Sequence, residues 1–257
     1  MKLLKLFLSL GCCTISATNP STPNEHNALV QKGKEFVQLV HEQSSSWYLN
    51  CHKDIFEVLG NLTFEEDKKL YIVTPQKEGL GDVSHICVEG IPEQEEPSLF
   101  QFMDGIFRAE QNEYMAHVHL KDISAESLWQ WILLSNIRYF TPVFWHGGYI
   151  TKTLILTDND YQAILPKGAI IPDSDYNKEI EAGEISESQF REMAAYKITP
   201  PQITIHEKAA TITFYTWNNW TGLSHNQYEL QINENKTVAV LLHEVKVVVP
   251  YHCGITF

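Results

Sequence analysis

The stretch QYELQINENKTVAVLLHEVKVVV, residues 227–249, decides the fold class of this 257-residue chain. Its two halves, residues 227–232 and 238–249, are rich in Val, Leu, Ile and Tyr, a composition typical of β-strands. The polar segment Asn233-Glu234-Asn235-Lys236 between them predicts a turn. Two strands joined by a short turn pair antiparallel, so this end of the chain predicts an antiparallel sheet.

Upstream segments extend the same sheet. Residues 202–206 and 210–217 are strand-like, and residues 151–157 are a further candidate strand. A short helix precedes them, because Ser186-Glu187-Ser188-Gln189 fits a capping box and Pro200-Pro201 ends the element. The C-terminal half therefore predicts consecutive antiparallel strands with a helix before them.

Helical patterns occur closer to the N-terminus. Residues 24–43 place apolar side chains at helical spacing among charged ones, which predicts an N-terminal amphipathic helix. Ser124 is a suitable N-cap for the run Ala125–Phe140. In that run Leu, Ile, Trp and Tyr side chains cover most of the circumference, so we expect a largely buried helix.

Between these helices the sequence predicts a central antiparallel hairpin. The motif FMDGIF, residues 102–107, places Asp104-Gly105 between two apolar runs, as in a tight hairpin turn. Residues 114–120 would continue this hairpin as a third strand. Helices with antiparallel strands predict one α+β domain over residues 26–257. The irregular acidic segment 166–185 is where we expect any subdivision.

The N-terminal segment MKLLKLFLSLGCC, residues 1–13, has a basic tip and an apolar run that continues to about Ala17. This layout is typical of a secretory signal and is too short to be a permanent membrane span. The polar, proline-interrupted residues that follow indicate a linker over residues 18–25. The sequence therefore predicts a signal peptide at residues 1–17 and export of the remainder.

The same segment resembles the signal of bacterial lipoproteins, in which a cysteine after a short apolar run becomes the lipidated first residue. Cys12 follows Gly11, as that pattern requires, but Ser9 stands where the pattern has Leu. Cys13 has Leu10 correctly placed, but a cysteine then replaces the usual Gly or Ala. The resemblance implies a lipid on Cys12 or Cys13 and a cell-envelope location. A conventional cleavable signal would instead give a periplasmic or secreted protein.

Three cysteines lie beyond this segment, at Cys51, Cys87 and Cys253. An oxidising compartment permits one disulfide among the three, and their spacing does not select the pair. Small buried core residues are the alternative. The chain has no Cys-x-x-Cys pair, so a zinc ribbon and a thioredoxin-like site both lack their usual signature.

The charge balance bears on the partners. Acidic residues outnumber basic ones by 32 to 19, and the formal net charge is −13. Nucleic acid is a poor partner, because its binding depends on Lys and Arg neutralising phosphates. A cationic partner or a neutral ligand fits this charge better, and a protein or a glycan is the partner we expect. The sequence also has no phosphate-binding loop or dinucleotide fingerprint.

Two histidines form the most suggestive candidate for metal chemistry. His117 and His119 would point the same way from a strand, and two imidazoles on one face are half of a zinc or copper site. With His146 they would suit a periplasmic or secreted metal-dependent hydrolase that uses zinc. A solvated sheet face is the alternative interpretation.

Two tryptophans form a candidate ligand site. Trp217 and Trp220 flank a polar turn, where indoles could stack on a sugar or clamp a peptide, although packing at the sheet end is the alternative. The segment Gly222–Asn226 resembles a nucleophile elbow only up to Ser224. With no complete catalytic motif, the sequence favours an exported, lipid-anchored envelope protein that binds or assembles over an enzyme.

Overall fold

The computed structural model of the chain combines α-helices with mainly antiparallel sheets, so the predicted α+β class is confirmed. The predicted C-terminal antiparallel sheet is also present. The structure describes residues 23–43, 48–49, 52–66, 68, 70–73, 76–77, 80–81, 85–87, 113–141, 151–167, 170–172 and 183–253.

Within these ranges the helices are short, apart from the first. One additional turn of 3-10 helix spans Glu113–His117. The α-helices are α1 (Pro23–Gln43), α2 (His52–Val58), α3 (Ala125–Ser135), α4 (Ile137–Phe140), α5 (Asp158–Ile164) and α6 (Glu187–Ala195).

The strands lengthen toward the C-terminus. They are β1 (Tyr48–Leu49), β2 (Leu62–Phe64), β3 (Tyr71–Val73), β4 (Gln76–Lys77), β5 (Leu80–Gly81), β6 (His85–Cys87), β7 (Val118–Leu120), β8 (Thr153–Ile155), β9 (Ile170–Ile171), β10 (Ile185–Ser186), β11 (Gln202–His206), β12 (Ala209–Asn218), β13 (Gly222–Ile232) and β14 (Val238–Pro250).

The largest sheet has the order β11-β12-β13-β14, and β8 pairs with the far end of β12. Its pairs are all antiparallel, whereas the small pair β9–β10 is parallel. The remaining short strands form the pairs β2–β7 and β4–β5 and the three-stranded set β1-β3-β6. The long strands β12, β13 and β14 therefore form the frame of the described structure.

Side chains of β12 enter two separate cores. Ile212 and Phe214 pack with residues of α1 and α3 on one face of the sheet, which we call the inner face. Tyr215 and Trp217 pack with residues of α5 and α6 on the opposite, outer face. This division follows from the alternation of side chains along a strand.

Helix α3 is the main cover of the inner face, and the prediction that it is largely buried is confirmed. Residues Ser127–Leu134 are all buried. The ring of Trp129 meets that of Phe214 edge to face, with centroids 5.5 Å apart. Trp129 also donates from Nε1 to the Leu29 carbonyl at 2.9 Å, which ties α3 to α1.

The turn between β12 and β13 requires a glycine. Gly222 has φ +88°, and a Cβ at this position would lie 2.1 Å from the Val249 carbonyl oxygen. Only glycine tolerates both the backbone conformation and this close approach. The contact fixes the start of β13 against the end of β14.

Two sequence predictions for the inner layer are wrong in part. The segment 114–120 is a strand only from Val118, because a 3-10 helix lets the adjacent Tyr114 and Met115 both reach the core. A strand would place them on opposite faces. The helix predicted over 125–140 is interrupted at Asn136, whose side-chain amide donates to the Ile132 carbonyl, a local bond that competes with helix propagation.

Helix α5 was not anticipated, because its N-cap, Thr157, was assigned to a strand over 151–157. Thr157 accepts a hydrogen bond from the Asp160 amide and so caps the helix. A Thr followed three residues later by an acidic residue was the available signal. The central hairpin at 102–107 lies outside the described residues, as does most of the predicted boundary segment 166–185.

Both serine caps that the sequence indicated are present, and they provide a stability test. Ser124 accepts from the Ser127 amide, and Ser186 completes a capping box with Gln189. We expect Ser124→Ala and Ser186→Ala each to lower the free energy of unfolding by about 1 kcal/mol. Urea unfolding measures this, with the exposed mid-helix substitution Glu192→Ala as control. Cap variants as stable as that control would contradict the assignment.

Candidate functional site

His117 and His119, the two candidate metal ligands, each lie within hydrogen-bond distance of another residue of the chain. His117 ends the 3-10 helix, and its Nδ1 lies 2.9 Å from Glu65 Oε2. His119 lies in β7, with Nδ1 3.0 Å from the Asn235 carbonyl oxygen. In the described part of the chain no three His, Cys, Asp or Glu side chains are grouped so as to hold a metal. His146 lies outside that part, and a zinc site stays a prediction.

The two tryptophans of the predicted ligand site lie in different environments. Trp217 is 3% exposed, stacks on Tyr251 with centroids 5.4 Å apart, and donates to Asn219 Oδ1 at 2.7 Å. Trp220 is half-buried in the turn and meets His252 edge to face. The structure therefore gives Trp217 a place in the outer-face core and leaves Trp220 nearer to solvent.

The cysteines are described only in part. Cys253 is a half-buried free thiol whose backbone amide donates to the Asn219 carbonyl at 2.7 Å. Cys87 belongs to β6. Cys51 and the candidate lipidation sites Cys12 and Cys13 lie outside the described residues.

Over the described residues, no helix is both long enough and apolar enough to cross a bilayer.

Among the described residues, strand β14 presents an unusual surface. Its residues are exposed from Ala239 to Val247 although it is the longest strand described. Its hydrogen bonds run to β13 on one side, and no described strand pairs with its other side. Large apolar side chains on it are exposed by 42–63%: Val240, Leu241, Leu242, Val245 and Val247.

The register of β14 shows which face these side chains occupy. Val245 lies opposite Asn226, and Val240 lies opposite Leu230. These β13 residues are buried on the inner face, so both valines continue that face beyond the helix layer. The pairing shifts by one residue at either end of 242–247. The segment between the two shifts is a regular strand.

A cavity opens where β13 and β14 face α3 and α4. Its volume is about 460 Å³, within the range of small-molecule sites. Apolar walls come from Met115, Trp131, Val238 and Val240, and polar groups come from Ser135, Asn136, Arg138, Tyr139, Tyr228 and His243. The described lining includes no Asp or Glu.

Two cations lie on one aromatic ring at the α4 side of this cavity. The Arg138 guanidinium lies 4.4 Å from the centroid of the Tyr139 ring, and Lys152 Nζ lies 4.6 Å from it. The Lys152 amide donates to the Tyr139 carbonyl at 2.6 Å, which holds the two segments together. Burial, and then the charge of Arg138, lower the pKa of Lys152.

An aromatic stack forms the opposite wall. The rings of His243 and Tyr228 are parallel with centroids 3.9 Å apart, and the Tyr228 hydroxyl hydrogen-bonds to Asn136 Oδ1 at 3.1 Å. Burial, and then the Lys152 ammonium, lower the pKa of His243 to about 4. Burial raises the pKa of Tyr228 to about 12. Both rings are therefore neutral at pH 7.

Sequence reasoning did not find this site. Arg138 and Lys152 belong to different elements, and His243 lies about a hundred residues later. The one local signal was the placement of Arg138 between Ile137 and Tyr139 at the end of a largely buried helical run, which by itself indicates no ligand. Comparisons with protein-family models, with curated proteins and with solved structures found no match for this chain.

The environment of His243 predicts an acid-sensitive contribution to stability. An unfolded histidine takes up a proton near pH 6.5, but folded His243 does so only near pH 4. The unfolded state therefore binds more protons between these values, and stability falls as pH drops through this window. We expect His243→Phe to lose less stability than the native chain between pH 6.5 and 4.5.

Urea unfolding at each pH measures this difference. The substitution His206→Phe on β11 controls for the removal of an imidazole elsewhere. Equal losses in the native chain and the His243 variant would show that the stacked imidazole titrates in the fold as it does in the unfolded chain.

Proposed function

We propose that this chain is an exported, lipid-anchored protein of the bacterial cell envelope, and that its domain assembles with a second copy through β14 instead of catalysing a reaction. The observation that carries the assembly is the open, apolar edge of β14. The N-terminal segment with Cys12 and Cys13 supports export and anchoring.

An open sheet edge can accept a further strand. A strand at the border of a sheet presents unpaired N–H and C=O groups to any strand that can add to it. Monomeric proteins protect such edges by keeping them short or charged. Strand β14 has 13 residues, and Leu241 on it is 63% exposed. These features fit strand addition, in which main-chain hydrogen bonds supply the affinity.

The charged residues of β14 favour a second copy of the same strand as the one that adds. Glu244 and Lys246 lie one on each side of Val245. In an antiparallel pair centred on Val245, each Glu244 lies directly opposite Lys246 of the second copy. Opposite charges at such positions stabilise a pair of strands. The β14 sequence is thus complementary to itself in this register, as a two-fold symmetric interface requires.

The same register also brings apolar side chains of the two copies together. Directly opposed residues share a face of the sheet, so the centred register brings two copies of Val245 together on the inner face. On the same face, His243 lies opposite Val247 of the second copy. On the outer face, Leu242 lies opposite Val248 of the second copy. Pairing therefore removes from water apolar side chains that one copy leaves exposed.

Charge reversal tests both the partner and the register. We expect Glu244→Lys and Lys246→Glu each to weaken self-association by about tenfold, because each creates two symmetry-related like-charge contacts. The double variant restores opposite charges and should regain native affinity. Sedimentation equilibrium over a range of concentrations measures the dissociation constant.

Glu229→Lys is the matched control, since Glu229 lies on the outer face of β13 and not at the edge. It should leave association unchanged. A native chain that stays monomeric at all concentrations rules out assembly through a second copy. A dimer whose dissociation constant is unchanged by Glu244→Lys and by Lys246→Glu rules out the centred register.

The anchor has its own test. Expression in a bacterium, membrane fractionation and mass spectrometry of the N-terminus should yield a membrane-bound product that begins with a lipidated Cys12 or Cys13. Changing that cysteine to Ala should release the protein. A soluble product that begins near Thr18 would rule out the anchor, and a cytosolic product that retains Met1 would rule out export.

A further inference from the structure

We propose that the cavity between α3–α4 and β13–β14 binds a small uncharged organic molecule, with a mainly apolar body and one oxygen that accepts a hydrogen bond from Trp131. Ketones, ethers and esters belong to this class of ligand. The inference goes beyond the proposed assembly and does not depend on it, because Trp131 belongs to α3 and not to β14.

The acceptor is inferred from a buried donor that the described residues leave without a partner. Trp131 lines the cavity and is 2% exposed, and its Nε1 has no hydrogen-bond partner among the described residues. The nearby buried indole of Trp129 shows the usual arrangement, since its Nε1 donates to the Leu29 carbonyl at 2.9 Å. An unsatisfied buried N–H is unfavourable, and a ligand oxygen beside Trp131 would satisfy it.

Several other polar groups of the lining already form hydrogen bonds within the chain. Asn136 donates from Nδ2 to the Ile132 carbonyl and accepts from the Tyr228 hydroxyl at Oδ1. Ser135 donates to the same Ile132 carbonyl at 2.9 Å. These bonds reduce the number of groups that could hold an ordered water, which normally has about three polar partners. The indole N–H of Trp131 is therefore better matched by one oxygen of a larger molecule than by water alone.

The charges of the lining favour an uncharged ligand. The Arg138 guanidinium donates to the Tyr139 hydroxyl and lies 4.4 Å from the centroid of that ring, so the chain itself provides partners for it. His243 is uncharged at pH 7, because burial and then the Lys152 ammonium lower its pKa to about 4. The described lining includes no Asp or Glu that would attract a cation. An uncharged molecule enters such a cavity without the cost of removing an ion from water.

The apolar body is inferred from the remaining walls and from the size of the cavity. Met115, Val238 and Val240 contribute aliphatic side chains to the lining. The stacked rings of Tyr228 and His243 add aromatic surface. A volume of about 460 Å³ accommodates a bicyclic molecule. A body of this kind would contact the apolar walls while its oxygen reaches the indole.

Two probes with the same ring skeleton test the acceptor. Indanone carries a ketone oxygen, and indane lacks it. The indole N–H signals of the isotope-labelled full chain report binding in nuclear magnetic resonance titrations, and the signal lost in Trp131→Phe belongs to Trp131. We expect indanone to shift this signal. In Trp131→Phe the affinity for indanone relative to indane should fall about fivefold, because the substitution removes the hydrogen bond and keeps an aromatic ring.

Two substitutions serve as controls. Trp220→Phe removes an indole N–H outside the cavity, and Leu241→Ser removes the most exposed apolar side chain described on β14, which does not line the cavity. Neither should change the ratio of the two affinities or the shift of the Trp131 signal. Binding that is lost in Leu241→Ser and unchanged in Trp131→Phe would assign the probes to the strand edge and overturn the proposal.

Other results would also overturn it. These are the absence of indanone binding to the native chain, an affinity ratio that Trp131→Phe leaves unchanged, and tighter binding of the charged analogue indane carboxylate than of indanone. Circular dichroism shows whether each variant is folded. If Trp131→Phe does not fold, nuclear Overhauser effects in the native chain replace it: a contact between indanone and the assigned Trp131 indole N–H is expected, and its absence would contradict the proposal.

Discussion

The alternation of side chains along β12 is the constraint on which the described structure depends. Phe214 contacts Trp129 of the inner helix layer, while its neighbour Tyr215 belongs to the core on the other face. A shift of one residue in the pairing of β12 with β13 would exchange the two faces and place each set of side chains against the wrong helices. Gly222 stands at the turn opposite Asn218 of β12, in a conformation with φ +88° that favours glycine, so its position marks where this register begins. The positions of the cavity and of the exposed edge follow from that register.

The fold was predictable where the signals are local. The turn at 233–236 and the cap at Ser186 depend on residues a few positions apart, and both were read correctly. The 3-10 helix was not predicted, because Tyr114 and Met115 owe their conformation to a core built from distant segments. The contact that holds Tyr114 in place, a hydrogen bond from its hydroxyl to the Leu134 carbonyl, exists only in the folded chain.

The cavity was beyond sequence reasoning for a related reason. Arg138, Lys152 and His243 are brought together by the sheet, and no spacing in the chain marks them as a group. Strand β14 presents the opposite difficulty. Its nearly continuous apolar run is of the kind found in strands covered on both faces, yet in one copy it lies at the border of the sheet. The sequence of β14 is suited to a degree of burial that the described residues of one copy do not provide.

The unequal borders of the large sheet have a consequence for any assembly. One border is the 13-residue strand β14, whereas the other consists, among the described residues, of β11 with five residues and β8 with three. A chain with two long borders could add copies without limit and grow into a fibre. In the proposed assembly, two molecules that join by their long borders would use both of them, and growth would end at the pair. The same asymmetry would make such an oligomer self-terminating.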